Sequence, residues 1–303
     1  MKIAIASGKG GTGKTTVATN LALAAMRRGL RVSYFDCDVE EPNGHLFLKP
    51  QITTSQSATL PHPIVAESLC THCGQCGEIC QFSAIVCVGQ KVLVYPELCH
   101  ACGGCALVCP TGAITEVAHP IGIIQTGSVA GTDKTGSPAA LRFAKGTLRI
   151  SQAMSTPLIR QLKEQGLGHD DLAVFDCPPG ASCPVIEGVR GANLVLLVTE
   201  PTPFGLNDLR LTVETLQTLG LPMAVVINRA GEEEIETRSF CQSKGIPILA
   251  GIADDRRVAE AYSRGELALD AVPSFRQTIE EILNWLRQTD LEPSLPESEA
   301  TPS

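Results

Sequence analysis

The sequence predicts an α/β fold. A mostly parallel sheet carries helices on both faces, and a small α+β unit is inserted between two of its elements. Three observations lead there. Short, nearly continuous apolar runs alternate with helical patterns in the first and last parts of the chain, as expected for strands buried on both faces. A glycine-rich loop joins the first apolar run to the first helical pattern. Between about residues 50 and 120 the rhythm breaks, and eight cysteines fall there in two short runs.

The elements follow in order. "KIAIAS" (2–7) reads as a strand. Residues 14–29 read as a helix, with apolar residues at 17, 21, 24 and 25 and a stop at Gly29. "RVSYFD" (31–36) is the next strand, and later strands fall at 172–176, 193–199, 222–228 and 246–252. Helical patterns separate them at about 153–166, 184–190, 205–219, 232–244, 255–264 and 275–288. Residues 51–62 read as a polar, proline-containing linker. Segments 121–127 and 141–151 read as strands rejoining the main sheet, with the Gly/Ser/Thr stretch 127–137 as a flexible loop. The acidic, Pro- and Ser-rich tail 289–303 is expected to be disordered.

The chain as a whole narrows the classes. Its 303 residues can bury a sizeable core, so folding does not require disulfides. Thirteen cysteines would suggest a secreted scaffold only in a short chain behind a signal peptide. "MKIAIASGKGG" has an apolar run of only four residues, too short for one. No stretch approaches the roughly 20 apolar residues of a membrane span. A cytoplasmic location is expected, where clustered thiols bind metal. The formal charge of −8 and the lack of a long basic run predict neither nucleic acid nor membrane as a partner.

Gly8-Lys9-Gly10-Gly11-Thr12-Gly13-Lys14-Thr15 matches the phosphate-binding pattern G-x4-G-K-[ST]. Such glycines let backbone N–H groups turn toward phosphate oxygens, and the helix that follows adds its positive end. Lys14 would reach the β/γ-phosphates and Thr15 would hold Mg²⁺. The same stretch also satisfies G-x-G-x-x-G, with Asp36 where a ribose-binding acid would sit. That dinucleotide reading leaves Lys14, Thr15 and Asp176 without a role.

Lys9 makes the loop resemble the deviant Walker A motif of the MinD/ParA/Mrp/nitrogenase-iron-protein class of P-loop ATPases. Three more stretches resemble that class in its order: "FDCDVEEPN" (35–43) its switch I, "FDCPPG" (175–180) its Walker B and switch II, and "INR" (227–229) its adenine-reading motif. The resemblance implies that ATP is sandwiched in a dimer, with Lys9 reaching the partner's nucleotide; the pair is a homodimer or a heterodimer with a paralogue. It implies that Asp38 orients the attacking water, that Asp36 supports Mg²⁺ or the loop, and that Asp176 lies near Mg²⁺. Gly180 would sense the γ-phosphate and Asn228 would meet the base. The implied nucleotide-binding set is Gly8, Gly10, Gly11, Thr12, Gly13, Lys14, Thr15, Thr16, Gly180 and Asn228. Hydrolysis in that class proceeds by positioning and electrostatic stabilisation.

The cysteine runs "CTHCGQCGEIC" (70–80) and "CHACGGCALVC" (99–109) share the spacing C-x2-C-x2-C-x3-C, and Pro110 follows the second. This pattern signals two [4Fe–4S] clusters, with the fourth cysteine of each run serving the other cluster. Cys70, Cys73, Cys76 and Cys109 form one set, and Cys99, Cys102, Cys105 and Cys80 the other. Paired Cys₄ zinc sites are the alternative. Residues 63–117 resemble a two-cluster bacterial ferredoxin, with Gln81 in place of the proline expected after the first run. The expected organisation is an ATPase domain of 1–62 and 118–288 and an inserted ferredoxin-like 2[4Fe–4S] domain of 63–117. Of the other cysteines, Cys87 and Cys241 read as small buried residues. Cys37, Cys177 and Cys183 lie in or beside the switches, and Cys183 is displaced from the cluster-ligating position of nitrogenase iron protein.

Together these features point to an ATPase whose nucleotide-dependent dimerisation gates electron transfer through the clusters to an unidentified redox or metallocofactor-assembly partner. An iron–sulfur cluster carrier, and a positioning ATPase with a redox-sensing module, are the other readings.

Overall fold

The computed structural model of the protein describes residues 1–165, 170–231 and 234–289. The tail expected to be disordered lies outside them beyond Thr289. The first strand, β1 (Lys2–Ala6), leads through the glycine loop into α1 (Lys14–Arg27), then β2 (Val32–Asp36) and α2 (Gly44–Leu48). A ribbon of β3 (Gln51–Val65), β6 (Ile114–Thr132) and β7 (Pro138–Leu148) follows. Between β3 and β6 lie α3 (Gln75–Ile79), β4 (Ile85–Val88), β5 (Lys91–Val94) and α4 (Gly104–Leu107). The chain continues through α5 (Thr156–Lys163), β8 (Leu172–Asp176), α6 (Cys183–Val189), β9 (Leu194–Thr199) and α7 (Pro203–Thr218). It ends with β10 (Met223–Ala230), α8 (Ile235–Ser243), β11 (Ile248–Ala253), α9 (Arg256–Ser263), α10 (Ala268–Ala271) and α11 (Pro273–Gln288).

Among the described residues one sheet has the order β11-β10-β9-β1-β8-β2-β7-β6-β3. All pairings from β11 to β7 are parallel, and β6 runs antiparallel to both β7 and β3. The expected mostly parallel sheet with helices on both faces is therefore present. Along β1 the side chains alternate between two cores. Ile3 and Ile5 join a core built with α1 and α11, while Ala4 and Ala6 join one built with α5, α6 and α7.

The ribbon corrects two expectations. Residues 51–62 are not a linker: they belong to β3, the edge strand, which pairs with β6 from Gln51 opposite Ser128 to Val65 opposite Ile114. An edge strand tolerates Pro61 and Pro63 because one row of its backbone groups needs no partner. Its first seven residues are all exposed, so no apolar period marks them as strand. Likewise 127–137 is mostly not loop. β6 continues to Thr132, β7 starts at Pro138, and the Asp133 carboxylate accepts from the backbone of Thr135 and Ser137 in the turn between. The boundaries drawn at 62/63 and 117/118 fall inside β3 and β6, so the ribbon runs unbroken from the main sheet into the cysteine-rich unit.

That unit sits at the far end of the ribbon around its own small core of Cys76, Ile85 and Ile114. Its halves repeat in backbone as well as sequence. Left-handed residues recur at His72 and Ala101, at Gly74 and Gly103, and at Ser83 and Gly112. Each half thus turns the same way around its cysteines, and at three of the six positions, His72, Ser83 and Ala101, no glycine eases the turn.

Candidate functional site

A cleft of about 360 Å³ opens at the carboxyl ends of the strands, where parallel α/β sheets bind their ligands. Gly10, Gly11, Gly13, Lys14, Thr15 and Thr16 form one wall. Asp38 and Asn228 lie on the facing sides. Gly13 has φ +95°, and a Cβ there would stand 2.5 Å from Asn228 Nδ2, so a side chain is excluded twice over. Asn228 Nδ2 donates to the Thr12 carbonyl at 2.8 Å, and its Oδ1 accepts from the Arg229 N–H. The residue expected at the base therefore also braces the glycine loop. Gly8 packs on Asp208, and the Gly180 N–H donates to the Ser7 carbonyl at 2.9 Å; neither lines the cleft.

Asp36 and Asp176 lie behind the loop and are fully buried. Asp36 Oδ2 accepts from the Gly44 N–H at 2.8 Å, and Asp176 Oδ2 accepts from the Tyr34 hydroxyl at 2.8 Å. Each keeps one oxygen, Oδ1, without a partner. Burial, then the neighbouring Asp176, drives the Asp36 carboxyl well above its ordinary range, and burial raises Asp176 too. Asp38, at the cleft edge, is pushed up to about 6 by burial and by Asp176, against the pull of Lys14. Two paired buried carboxylates with free oxygens suit a hard cation such as Mg²⁺, which takes one or two carboxylates alongside phosphate oxygens. The donor set fits the expected ion.

Lys9 does not line the cleft. Its Nζ lies 3.1 Å from Glu200 Oε2, while Arg229 Nη1 holds the other carboxylate oxygen at 2.9 Å. The sequence reading missed Glu200, although an acid closing the apolar run "LVLLVTE" repeats the signal that marked Asp36 and Asp176. It also missed Arg229, Asp255 and Tyr262, which line the cleft. The latter two sit on or before α9, and nothing in their local pattern separates them from a solvated helix face.

In the inserted unit, Cys70, Cys73, Cys76 and Cys109 line one small pocket, with Cys87 as a fifth thiol. This is the set expected from the spacing, including the cysteine borrowed from the second run. Val65, Val92 and Ile114 complete an apolar wall. Burial, then the neighbouring Cys87, pushes the Cys76 thiol up to about 12. In the other set, Cys99 feels Cys102 and Cys80, and Cys105 feels Cys99 and Cys102. Cys80 and Cys109 each accept a backbone N–H at 3.3 Å, from Ala84 and Ala113 respectively. Burial alone would raise the Cys80 thiol, but backbone donors outweigh it and bring the thiol below its ordinary value. Among the described residues no three His, Cys, Asp or Glu side chains come together as ligands of a single metal ion. Zinc needs four sulfurs around one point at about 2.3 Å. A cubane instead takes each thiolate on a different iron, so its ligands stand around a body rather than a point. A pocket lined by Cys70, Cys73, Cys76 and Cys109, with Cys87 beside them, suits that donor arrangement for the first set.

Of the remaining cysteines, Cys241 is fully buried and Cys87 half-buried; Cys37 and Cys177 are fully buried, and Cys183 is exposed at the start of α6. No helix among the described residues is long and apolar enough to cross a membrane.

A glycine loop between a central parallel strand and its helix, opening on a cleft at the strand ends, defines a P-loop nucleotide-binding α/β protein. The chain belongs to the CobQ/CobB/MinD/ParA nucleotide-binding domain family, whose model matches residues 3–268. It is 30% identical over 289 residues to an uncharacterised protein of Methanocaldococcus jannaschii, covering 95% of this chain and 97% of that one. It is 24% identical over 307 residues to an iron-sulfur cluster carrier protein of Pyrococcus horikoshii, covering 95% and 87%. Its fold is similar to that of the septum site-determining protein MinD complexed with Mg-ADP from Pyrococcus horikoshii, with a TM-score of 0.59, 19% identity and coverage of 95% and 96%.

Proposed function

We propose that the protein is a Mg²⁺-dependent ATPase whose nucleotide-driven pairing controls a module carrying two [4Fe–4S] clusters, in electron delivery to a metallocofactor- or iron–sulfur-assembly partner. One observation carries this reading. The segment after Asp38 is joined to the ribbon that bears the cysteines: the Val39 carbonyl accepts from the Leu148 N–H on β7 at 2.8 Å. Any shift of that segment with nucleotide state is handed to the strand beside β6, which ends in the cysteine unit.

In this reading Lys14 and the loop N–H groups bind the β/γ-phosphates. Thr15, Asp36 and Asp176 hold Mg²⁺, Asp38 orients water, and Lys9 leaves Glu200 to reach a partner subunit's nucleotide. Cys70, Cys73, Cys76 and Cys109 hold one cluster, and Cys99, Cys102, Cys105 and Cys80 the other. The clusters supply one-electron redox chemistry. The test is anaerobic measurement of partner reduction or of cluster potentials with ATP, with ADP and without nucleotide. Identical behaviour in all three states would overturn the gating.

A second reading, cluster delivery, is favoured by the relative named as an iron-sulfur cluster carrier protein and by the exposure of Cys73 and Cys102, one in each set. It predicts ATP-dependent loss of iron and sulfide to an apo-acceptor, whereas clusters retained in the presence of acceptor would exclude it.

A further inference from the structure

Five thiols line the pocket of the first cysteine set, whereas a [4Fe–4S] cluster takes four. Cys87 is the fifth, and its Sγ lies 3.6 Å from Cys76 Sγ. Both stand on regular elements, Cys76 in α3 and Cys87 in β4, while Cys70, Cys73 and Cys109 lie outside helix and strand. The two elements pack closely. A Cβ on Gly77 would stand 3.3 Å from the Cys87 backbone nitrogen and 3.5 Å from its Sγ, so the missing side chain lets β4 bring Cys87 onto α3. The Cys109 sulfur is engaged elsewhere, by the Ala113 N–H at 3.3 Å and the Thr111 hydroxyl at 3.7 Å.

We propose that Cys76 and Cys87 form a disulfide when the first site is empty, and that this bond and metal ligation exclude each other because both need the Cys76 sulfur. The empty site then accepts iron only after the bond is reduced. This rests on the reading of Cys76 as a cluster ligand.

Bonded sulfurs stand about 2.05 Å apart, so from 3.6 Å the pair closes by moving about 1.5 Å, within reach of side-chain rotation. The oxidant is a low-molecular-weight disulfide. Cys87 is the more exposed of the two and exchanges first. Its sulfur bonds to one sulfur of the oxidant, and the other leaves as a thiol with the Cys87 proton. Cys76 then attacks the Cys87 sulfur, and its proton goes to the second departing thiol. Two protein thiols and one small disulfide become one protein disulfide and two small thiols, with two electrons passing to the oxidant. Burial, then the neighbouring Cys87, pushes the Cys76 thiol up to about 12. That slows the closing step without opposing its product, since the disulfide carries no charge to bury.

The test uses the full-length protein in two states, as purified without oxygen and after a chelator has removed its metal. Each is treated with oxidised glutathione, alkylated, digested and mapped by mass spectrometry. The expected result is a Cys76–Cys87 link in the stripped protein, absent from the loaded one and reversed by dithiothreitol. The oxidised, stripped protein should then take up about half or less of the iron(II) and sulfide taken up by Cys87→Ala treated alike, because one site of two is closed. Dithiothreitol should abolish that difference. Cys76 linked to Cys73 instead, glutathione on both cysteines without a link, the same link in the loaded protein, or equal uptake by Cys87→Ala would each overturn the proposal. Iron and sulfide are counted before stripping. Counts short of two clusters would refute the cluster reading itself, and the map of the stripped protein would still decide whether Cys76 and Cys87 pair.

Discussion

Asp36 and Asp176 are register partners at the ends of β2 and β8, both fully buried, each with one carboxylate oxygen that has no hydrogen-bond partner. Without a cation this arrangement opposes folding, because burial and mutual repulsion both disfavour the charged forms. Asp36→Asn keeps an oxygen for the Gly44 N–H and removes the charge. It should stabilise the nucleotide-free protein by about 0.5–2 kcal/mol, as relief of functional strain commonly does. It should also weaken Mg²⁺-dependent nucleotide binding about 10–100-fold. Urea unfolding and calorimetric titration with Mg-ATP check the two effects.

Asp38 carries a pH signature. Its folded-state value of about 6 lies above the ordinary carboxylate range, so the folded chain holds that proton more tightly than the unfolded chain. Its contribution is therefore fully present below about pH 4 and is lost as pH rises to about 6. Solvent at the cleft edge limits the effect to about 1 kcal/mol. Subtracting the urea stability of Asp38→Asn from that of the unsubstituted protein, both free of nucleotide, should show a difference that declines across this interval and is flat above it.

Lys9 is held by Glu200 in the single chain. If it serves a partner's nucleotide, Lys9→Ala should leave monomer affinity for ATP within a few-fold. Pairing with a non-hydrolysable analogue should weaken by about 30-fold or more, the scale of a central charged contact. Glu200→Gln should pair at lower concentration, because the hold on Lys9 is weaker. Sedimentation equilibrium reads both; pairing unchanged in Lys9→Ala would remove the trans role.

In the proposed two-cluster reading the cysteine sets cross between runs, and substitutions should reveal the crossing. Cys109→Ser should deplete the same cluster signal as Cys70→Ser, and Cys80→Ser the same one as Cys99→Ser. Electron paramagnetic resonance of the singly substituted proteins distinguishes this from clusters confined to one run each, in which Cys109→Ser would instead match Cys99→Ser.

Gly146 on β7 gives access to the link between cleft and ribbon. A Cβ there would stand 2.7 Å from Val39 Cγ1 and press on the segment after Asp38. Gly146→Ala should cost about 1–3 kcal/mol of stability. It should slow hydrolysis more than it weakens nucleotide binding, as steady-state kinetics beside binding titration would report.

The buried strands were legible because each is a short apolar run ending in a diagnostic residue: Ala6 before the glycine loop, Asp36, Asp176 and Thr199. The helices were legible from their period, with ends misplaced by a few residues where caps are weak, as at Thr156 and Ile235. β3 was not legible, because an exposed edge strand of Gln, Thr and Ser satisfies its backbone on one side without an apolar face. Glu200 carried the signal but was passed over. Tyr262 carried none, because its place in the cleft depends on how α9 packs over strand ends distant in sequence.

Local patterns carried the expected chemistry: the phosphate loop, the acids at the strand ends, and two cysteine runs whose spacing predicts Cys109 with the first set and Cys80 with the second. These are local patterns, in which neighbouring residues suffice to state what the backbone must do. Only the tertiary structure decided the relations between them. It showed Cys70, Cys73, Cys76 and Cys109 around one pocket, Lys9 turned onto Glu200, and an unbroken ribbon from the Asp38 segment to the cysteines. Those relations come from pairing register and packing between residues far apart in the chain, and no local spacing encodes them.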